Sequence, residues 1–598
     1  MVITPTTLTI TQLLSSTNEQ YVIPAYQRRY SWKHAQIGAL WDDINAISGG
    51  DTHLLGTIVC LTGHHTAGIN QLELVDGQQR LTSISILLNC TLERLRDEGE
   101  DDEARDLERM LSCKALGGKA APKIVLDSLD SQQFGKHVAR ENVDKLGNAR
   151  LAQAFAEVRE WVAELDLVEL GTFLYKLKNQ AFIIRLDVSD AKDAFKLFET
   201  INNRGLKLSP TDLIKNFVLG NAARFGPKEL LLAKERWSEM IAHLDGICSE
   251  TFFRHYVCYL RQSRVTNTAV VHEFKMIFMN EVEEAATLPD HSLYEDDEEE
   301  DEDMEDDEDL ESKDALPEFQ VDQTDTEKIP FADFLINLVD GAAAYHGIFL
   351  AQTGTPSFDR RLRNLRLIKS QQSYGFLMSL SVRGCNAGDF EEVLKLTEAF
   401  ILRRHICRER SNETEQLFAK LCSLDATNPV PMLREYFREL SPPDERFEED
   451  FSAARFTGQL MDRARYCLEQ FELHHQGKYL ELHPAGSDSV HIEHIIPQKI
   501  TSKNAKAEFG DWPSYLGANA ATRHRKYLPR IGNLTLFAGV LNIGASNNPY
   551  ARKKQAYKES AFKLTGHLPT RYADFRFAQV DKRSDEFAKL ATTLWPIS

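Results

Sequence analysis

The 598-residue chain contains no run approaching the roughly 20 apolar residues that span a bilayer. Its opening, MVITPTTLTITQLL, has neither a basic leader region nor a small-residue cleavage site, so a cytoplasmic protein with no membrane partner is expected. Paired cysteines are also missing. The nine present (Cys60, Cys90, Cys113, Cys248, Cys258, Cys385, Cys407, Cys422, Cys467) stand singly with no C-x-x-C. That pattern excludes a disulfide framework and a zinc-thiolate site, and it predicts reduced, mostly buried thiols. The G-x-x-x-x-G-K-[ST] loop that cradles phosphates is absent, so a nucleotide site must be of another type. An RNA-recognition motif with stacking aromatics is absent too.

Basic charge is scarce in sum but not in distribution. The net charge is −20, yet residues 295–311, EDDEEEDEDMEDDEDLE, hold 15 acids and no base. From His491 to Ser598 there are 17 Lys or Arg against 8 Asp or Glu. A basic segment within an acidic protein suits a phosphate backbone better than the pI of 5.4 implies. The acidic tract cannot bury enough apolar surface to order itself, so 286–328 is expected to be a disordered insertion, a solubilising segment or a mimic of DNA.

The length and pattern predict a multidomain α+β protein. Over 1–224, short β-rich runs (Tyr21–Ile23, His53–Leu61, Leu72–Val75, Ala181–Leu186) alternate with helical ones (Trp41–Ile47, Leu81–Leu95, and one from Ala191), an α+β domain. Ser209-Pro210-Thr211-Asp212 supplies an N-cap, a first-turn proline and an acid, so a helix should run through Leu213–Leu219. Over 225–470 the apolar spacing is helical, as in Leu230–Leu244, Phe331–Ala351, Phe390–Cys407 and Thr414–Leu424. The remaining domain is 471–598.

Three polar clusters interrupt the apolar pattern of the first domain: IPAYQRRYSW at 23–32, DGQQRLT at 76–82 and FETINNRGLKLSPTDLIKN at 198–216. In the second, Asp76 and Gly77 make a turn, and Gln78, Gln79 and Arg80 open a helix whose free N–H groups attract anions, so Arg80 is placed to clamp a phosphate. In the third, Asn202, Asn203 and Arg204 precede Gly205, and Lys215 and Asn216 return on the next helix.

The most chemically informative stretch is Val490-His491-Ile492-Glu493-His494-Ile495-Ile496-Pro497-Gln498, followed by Ile531-Gly532-Asn533-Leu534-Thr535-Leu536. A carboxylate and an imidazole at the end of an apolar run can hold a divalent cation and a general base against one phosphodiester. Oxygen and amide donors with few thiols favour Mg²⁺ or Mn²⁺.

These motifs, with Phe400–Cys407 in the middle, resemble the GmrSD family of modification-dependent (type IV) restriction enzymes over nearly the whole chain except the acidic insertion. The resemblance implies a ParB-like N-terminal domain that binds and hydrolyses a nucleoside triphosphate, a helical middle, and a C-terminal ββα-metal (HNH) nuclease domain. By motif, Tyr26, Gln27, Arg28, Asp76, Gln78, Gln79 and Arg80 would line the nucleotide or sensing pocket, beside Asn203, Arg204, Asp212 and Lys215. His494 matches the general base, Glu493 the metal-ligand carboxylate and Asn533 the asparagine that fixes the hairpin. His491 would stand behind the ligands or serve as an auxiliary one, and Asn542 matches the last metal position, with Asn547 as its rival. Strand alternation alone sets Glu493 and His494 on opposite faces unless the strand ends there, and the resemblance implies that it does. Lys554 joins the catalytic group. Lys553, Arg523, Arg525 and Lys526 are assigned to DNA, the last three within a 38-residue insertion between His494 and Asn533.

The expected function is therefore a nucleotide-regulated, metal-dependent endonuclease acting on modified double-stranded phage DNA, as a dimer if both strands are cut. Two alternatives stand beside it, a non-catalytic ParB-like DNA-binding regulator and an RNA-cleaving abortive-infection nuclease.

Overall fold

The computed structural model describes residues 3–66, 68–114, 118–126, 129–141, 147–202, 209–287, 328–476, 489–500, 511–539 and 548–597. Asn203, Arg204, Asn542, Asn547 and nearly all of the acidic insertion lie outside them. The protein is mixed α/β, multidomain and mostly helical, with a small sheet. It divides into two compact units, one built mainly on Met1–Arg254 and the other mainly on Ala344–Ser598.

The first unit is organised by a six-stranded sheet in the order Ile3–Thr9, Ala181–Val188, His53–Thr66, Ile69–Asp76, Glu19–Ile23, Ile124–Leu126. The sheet is mixed. His53–Thr66 runs parallel to Ala181–Val188 and antiparallel to Ile69–Asp76, while Glu19–Ile23 runs parallel to both neighbours. Against it lies the helix Gln78–Glu98, whose middle reads SISILLNC and is buried on every side, as its apolar and small residues require. The chain enters that helix through Gly77 at φ +88°, where a Cβ would stand 2.5 Å from Ile58 Cγ2, so only glycine serves there. The helix Pro210–Phe225 begins as its sequence dictates: Ser209 Oγ accepts the Asp212 N–H at 3.2 Å and Pro210 takes the first turn.

In the second unit, Glu398 is a buried junction. It accepts hydrogen bonds from Asn364 (2.8 Å), Arg361 (3.0 Å) and Tyr466 (2.5 Å), and the Tyr466 hydroxyl accepts the Trp595 indole N–H at 2.7 Å. Arg403 is fully buried and donates to the Trp595 and Pro442 carbonyls and to Asp444. The C-terminal helix Phe577–Leu594 is thereby fixed, and its Arg583 donates to the Gly532 carbonyl at 2.9 Å and to that of Leu534 at 2.5 Å.

Gly532 packs so closely on that helix that a Cβ would lie 2.2 Å from the Val580 carbonyl oxygen and 2.8 Å from the Ser584 nitrogen. Backbone cannot yield as a flexible side chain would. Gly532→Ala should destabilise this unit by about 1–3 kcal/mol, seen as a lower thermal midpoint of its transition. An unchanged midpoint would mean the helix moves freely.

Among the described residues, no helix is long and apolar enough to cross a membrane. The nine cysteines are free thiols, seven of them buried, with Cys248 exposed and Cys385 between.

Candidate functional site

The C-terminal site is built on a two-stranded antiparallel pair, Val490–His494 against Leu534–Ala538, with His494 opposite Leu534 and Glu493 opposite Thr535. The first strand ends at His494. Consequently the alternation breaks at the Glu-His pair: His491 is exposed, whereas Glu493 and His494 are both buried in succession. The turn that follows is held by Asn533, itself fully buried. Asn533 Oδ1 accepts the Ile496 N–H at 2.8 Å, its Nδ2 donates to the carbonyls of Ile496 and Leu528 at 3.1 Å each, and its own carbonyl accepts the Ile495 N–H at 2.9 Å. One amide side chain thus satisfies the backbone of a turn that water cannot reach.

Across the pair lies the helix Tyr550–Lys558. Its residues Lys553 and Tyr557, one turn apart on one face, both reach Glu493 Oε1, at 2.5 and 3.0 Å, and Lys553 Nζ also donates to the His494 carbonyl at 2.8 Å. The ammonium of Lys553 is wholly buried. Burial lowers its pKa against the opposing pull of Glu493, and burial together with Glu493 pushes the Tyr557 phenol well above its ordinary value. Lys553, expected at DNA phosphates, is sealed inside and shared between a carboxylate and a carbonyl, so it presents no charge to solvent. Lys554, grouped with the catalytic residues on sequence, faces another way. It sits about 100° further round the helix, donates to the Ala573 carbonyl at 3.0 Å and lies over the Tyr550 ring.

His494 is driven down to about 4, first by burial and then by the charges of Lys553 and His524, so its imidazole is neutral at physiological pH. Gln498 Nε2 lies 3.4 Å from its Nδ1. Arg523, Arg525 and Lys526 are exposed on the helix Ala520–Tyr527.

Among the described residues, no three His, Cys, Asp or Glu side chains converge to hold a metal ion. What they offer is the Glu493 carboxylate, whose two hydrogen bonds both fall on Oε1, and the His494 imidazole. That set fits a hard cation which keeps several waters and is completed by substrate phosphates.

The N-terminal clusters also converge. Gln27 donates to the carbonyls of Leu74 (3.2 Å) and Val75 (2.9 Å) and accepts from Lys215. Lys215 lies 3.5 Å from Asp212, and Arg28 lies 3.7 Å from the same carboxylate. Burial would raise the Asp212 pKa, but Lys215, Arg28 and Ser209 outweigh it and hold the carboxyl below its usual range. Gln79 clamps the first cluster, accepting the Ser31 N–H at 2.8 Å and donating to the Arg29 carbonyl at 3.2 Å. Arg80 donates to the Thr57 carbonyl at 2.9 Å, and Asp76 Oδ1 accepts the Gly77 N–H at 2.7 Å. Gln78 is buried at the start of a helix that has no side-chain cap. Arg28, its side chain 45% exposed, is the cation of this group that faces solvent most openly.

The N-terminal portion matches the model of the GmrSD restriction endonuclease N-terminal domain over residues 10–219, and the C-terminal portion matches the GmrSD C-terminal domain over residues 441–590. The chain belongs to the GmrSD family of restriction endonucleases. A comparison with the curated proteins finds no match. The N-terminal match spans all three polar clusters and the C-terminal one spans both nuclease motifs.

Sequence reasoning about this GmrSD chain missed several partners. Tyr26 donates to Glu73 at 2.5 Å, Lys234 reaches the same oxygen at 2.5 Å, and Arg29 pairs with Asp130 at 2.7 Å. Asp130 also accepts from the Tyr30 N–H and from Asn148, each at 2.8 Å. Glu73, Asp130, Asn148 and Lys234 all lie outside the three polar clusters, so no motif marked them.

Proposed function

We propose that this restriction endonuclease is an HNH-type, divalent-metal-dependent enzyme regulated by a nucleoside triphosphate bound to a ParB-like N-terminal domain, and that it cuts modified phage DNA. The observation carrying the nuclease reading is the hairpin end, where a neutral, buried His494 and the Glu493 carboxylate stand in succession on a turn fixed by Asn533.

A neutral imidazole can accept a proton from water. The phosphodiester brings negative charge that favours the imidazolium as it forms, offsetting the burial that keeps His494 neutral beforehand. Asn533 holds the turn so that no reorganisation is needed at that moment. A cation held by Glu493, with Asn542 or Asn547 and His491 as auxiliaries, would stabilise charge on the phosphate and the leaving oxygen. The exposed Arg523, Arg525 and Lys526 suit the flanking backbone of double-stranded DNA.

For the nucleotide, the uncapped N-terminus of Gln78–Glu98 and the cations Arg28 and Arg80 suit phosphates. Tyr26, Gln27, Gln79, Asp212 and Lys215 build the frame around them, and Asn203 and Arg204 belong to the same motif. Arg80→Ala should lower nucleotide turnover by about tenfold or more, the loss of one charge-assisted contact, while the protein still folds. Unchanged turnover of ATP and GTP would sink this placement.

The test of the whole reading is cleavage of matched unmodified and glucosyl-hydroxymethylcytosine DNA, with Mg²⁺ or Mn²⁺ and with or without nucleotide. Metal-dependent cutting that is confined to the modified DNA and changes with added nucleotide would support the metal, the specificity and the regulation together. Equal cutting of both would remove the specificity, and cutting without added metal would remove the cation.

A further inference from the structure

The insertion between His494 and Asn533 contributes more to the site than its length suggests. Its helix Ala520–Tyr527 carries two kinds of chemistry on opposite sides. Outward stand Arg523, Arg525 and Lys526, joined by the exposed Arg455, whose guanidinium donates to the Arg525 carbonyl at 3.4 Å. The Arg523 guanidinium lies 4.5 Å from the Phe577 ring centre and 5.5 Å from that of Tyr527, which fixes its direction while leaving its charge available.

Inward stands His524, buried, with Nε2 2.8 Å from the Pro497 carbonyl oxygen. A carbonyl only accepts, so Nε2 must carry the proton. Burial lowers the His524 pKa more than this hydrogen bond raises it. Pro497 closes the turn that starts at His494, and Asn533 grips the same turn at Ile496. Two side chains thus pin Ile496 and Pro497 in the turn that follows the general base, and one of them rides on the basic helix.

We propose that His524 is a positioning residue that ties the phosphate-contacting face of the helix Ala520–Tyr527 to the His494 turn, so that DNA backbone engaged by Arg523, Arg525 and Lys526 fixes the general base in place. This rests on the nuclease reading of His494, but the first measurement needs no cleavage, so the two can fail separately.

Hydrogen exchange is followed over residues 490–500 in the full-length protein, in chelator, with and without a short unmodified DNA duplex. In the wild type the duplex should slow exchange at the Ile495 and Ile496 amides. In His524→Ala that slowing should vanish while duplex affinity and its salt dependence stay unchanged, and His524→Asn, which keeps a donor, should restore part of it. Replacing Arg523, Arg525 and Lys526 together by Ala should lower the slope of log affinity against log salt by about 2–3 and abolish the slowing. Should His524→Ala fail to fold, the triple surface variant decides alone.

DNA-dependent slowing that persists in folded His524→Ala, or in the triple variant, would overturn the proposal, as would a duplex that does not bind the wild type at low salt. In a cleaving wild type, His524→Ala should lower kcat by about 10–100-fold with KM unchanged. A rise in KM alone would assign His524 to substrate binding and overturn the positioning role.

Discussion

His494→Ala should lower DNA cleavage by about 10³-fold, the contribution expected of a well-placed general base, while nucleotide turnover and DNA affinity stay close to wild type. The expectation follows from what the side chain does and does not hold. Among the described residues its only side-chain hydrogen bond is the long 3.4 Å contact with Gln498, whereas the turn around it is carried by Asn533, His524 and Lys553. Removing the imidazole therefore takes away a proton acceptor without dismantling its surroundings. Single-turnover cleavage with saturating metal, beside a binding isotherm on the same duplex, checks this. Residual cleavage within about tenfold of wild type would mean that another group activates the water. A parallel loss of DNA affinity would mean that the imidazole is a ligand for substrate.

The ease with which the sequence disclosed parts of this molecule follows the range of the forces involved. Ser209-Pro210-Thr211-Asp212 announces its helix because capping is settled within four residues, and the helix duly runs Pro210–Phe225. The strands at Tyr21–Ile23 and Leu72–Val75 were legible from local β-propensity, and they extend to Glu19–Ile23 and Ile69–Asp76. The strand Ile3–Thr9 was not, because its existence depends on pairing Ile3 with Val188 and Thr9 with Phe182, partners remote in sequence. Its threonine-rich ITPTTLT run carries no clear apolar alternation to announce a strand.

At the proposed nuclease site, the adjacency of Glu493 and His494 was visible as a motif. The orientation of the basic helix was not. Spacing places Lys553, Lys554 and Tyr557 on a helix, but which of the neighbouring lysines turns inward depends on where Glu493 stands, 60 residues earlier. The same holds for His524, one histidine within a basic run until the Pro497 carbonyl comes within 2.8 Å.

That inward lysine leads to the other large effect. Glu493→Ala should remove cleavage and also open the C-terminal hairpin, because it strands the fully buried Lys553 ammonium with only the His494 carbonyl to answer it. Breaking a buried pair from one side costs about 3–5 kcal/mol. Replacing both partners by apolar groups, Glu493→Leu with Lys553→Met, removes the charge with its partner and should recover most of the stability. Cleavage should not return with it, since in the proposed mechanism the carboxylate also holds the cation. Tyr557, whose hydroxyl also donates to Glu493 Oε1 at 3.0 Å, would lose that acceptor in both variants, so recovery should fall short of complete. Hydrogen exchange across 490–498 and 550–558 reports the local opening free energy of each variant in the intact chain. A stable Glu493→Ala would mean that Lys553 is not held as a buried cation. A double variant that is both stable and active would reduce Glu493 to a structural counter-ion and remove it from the chemistry.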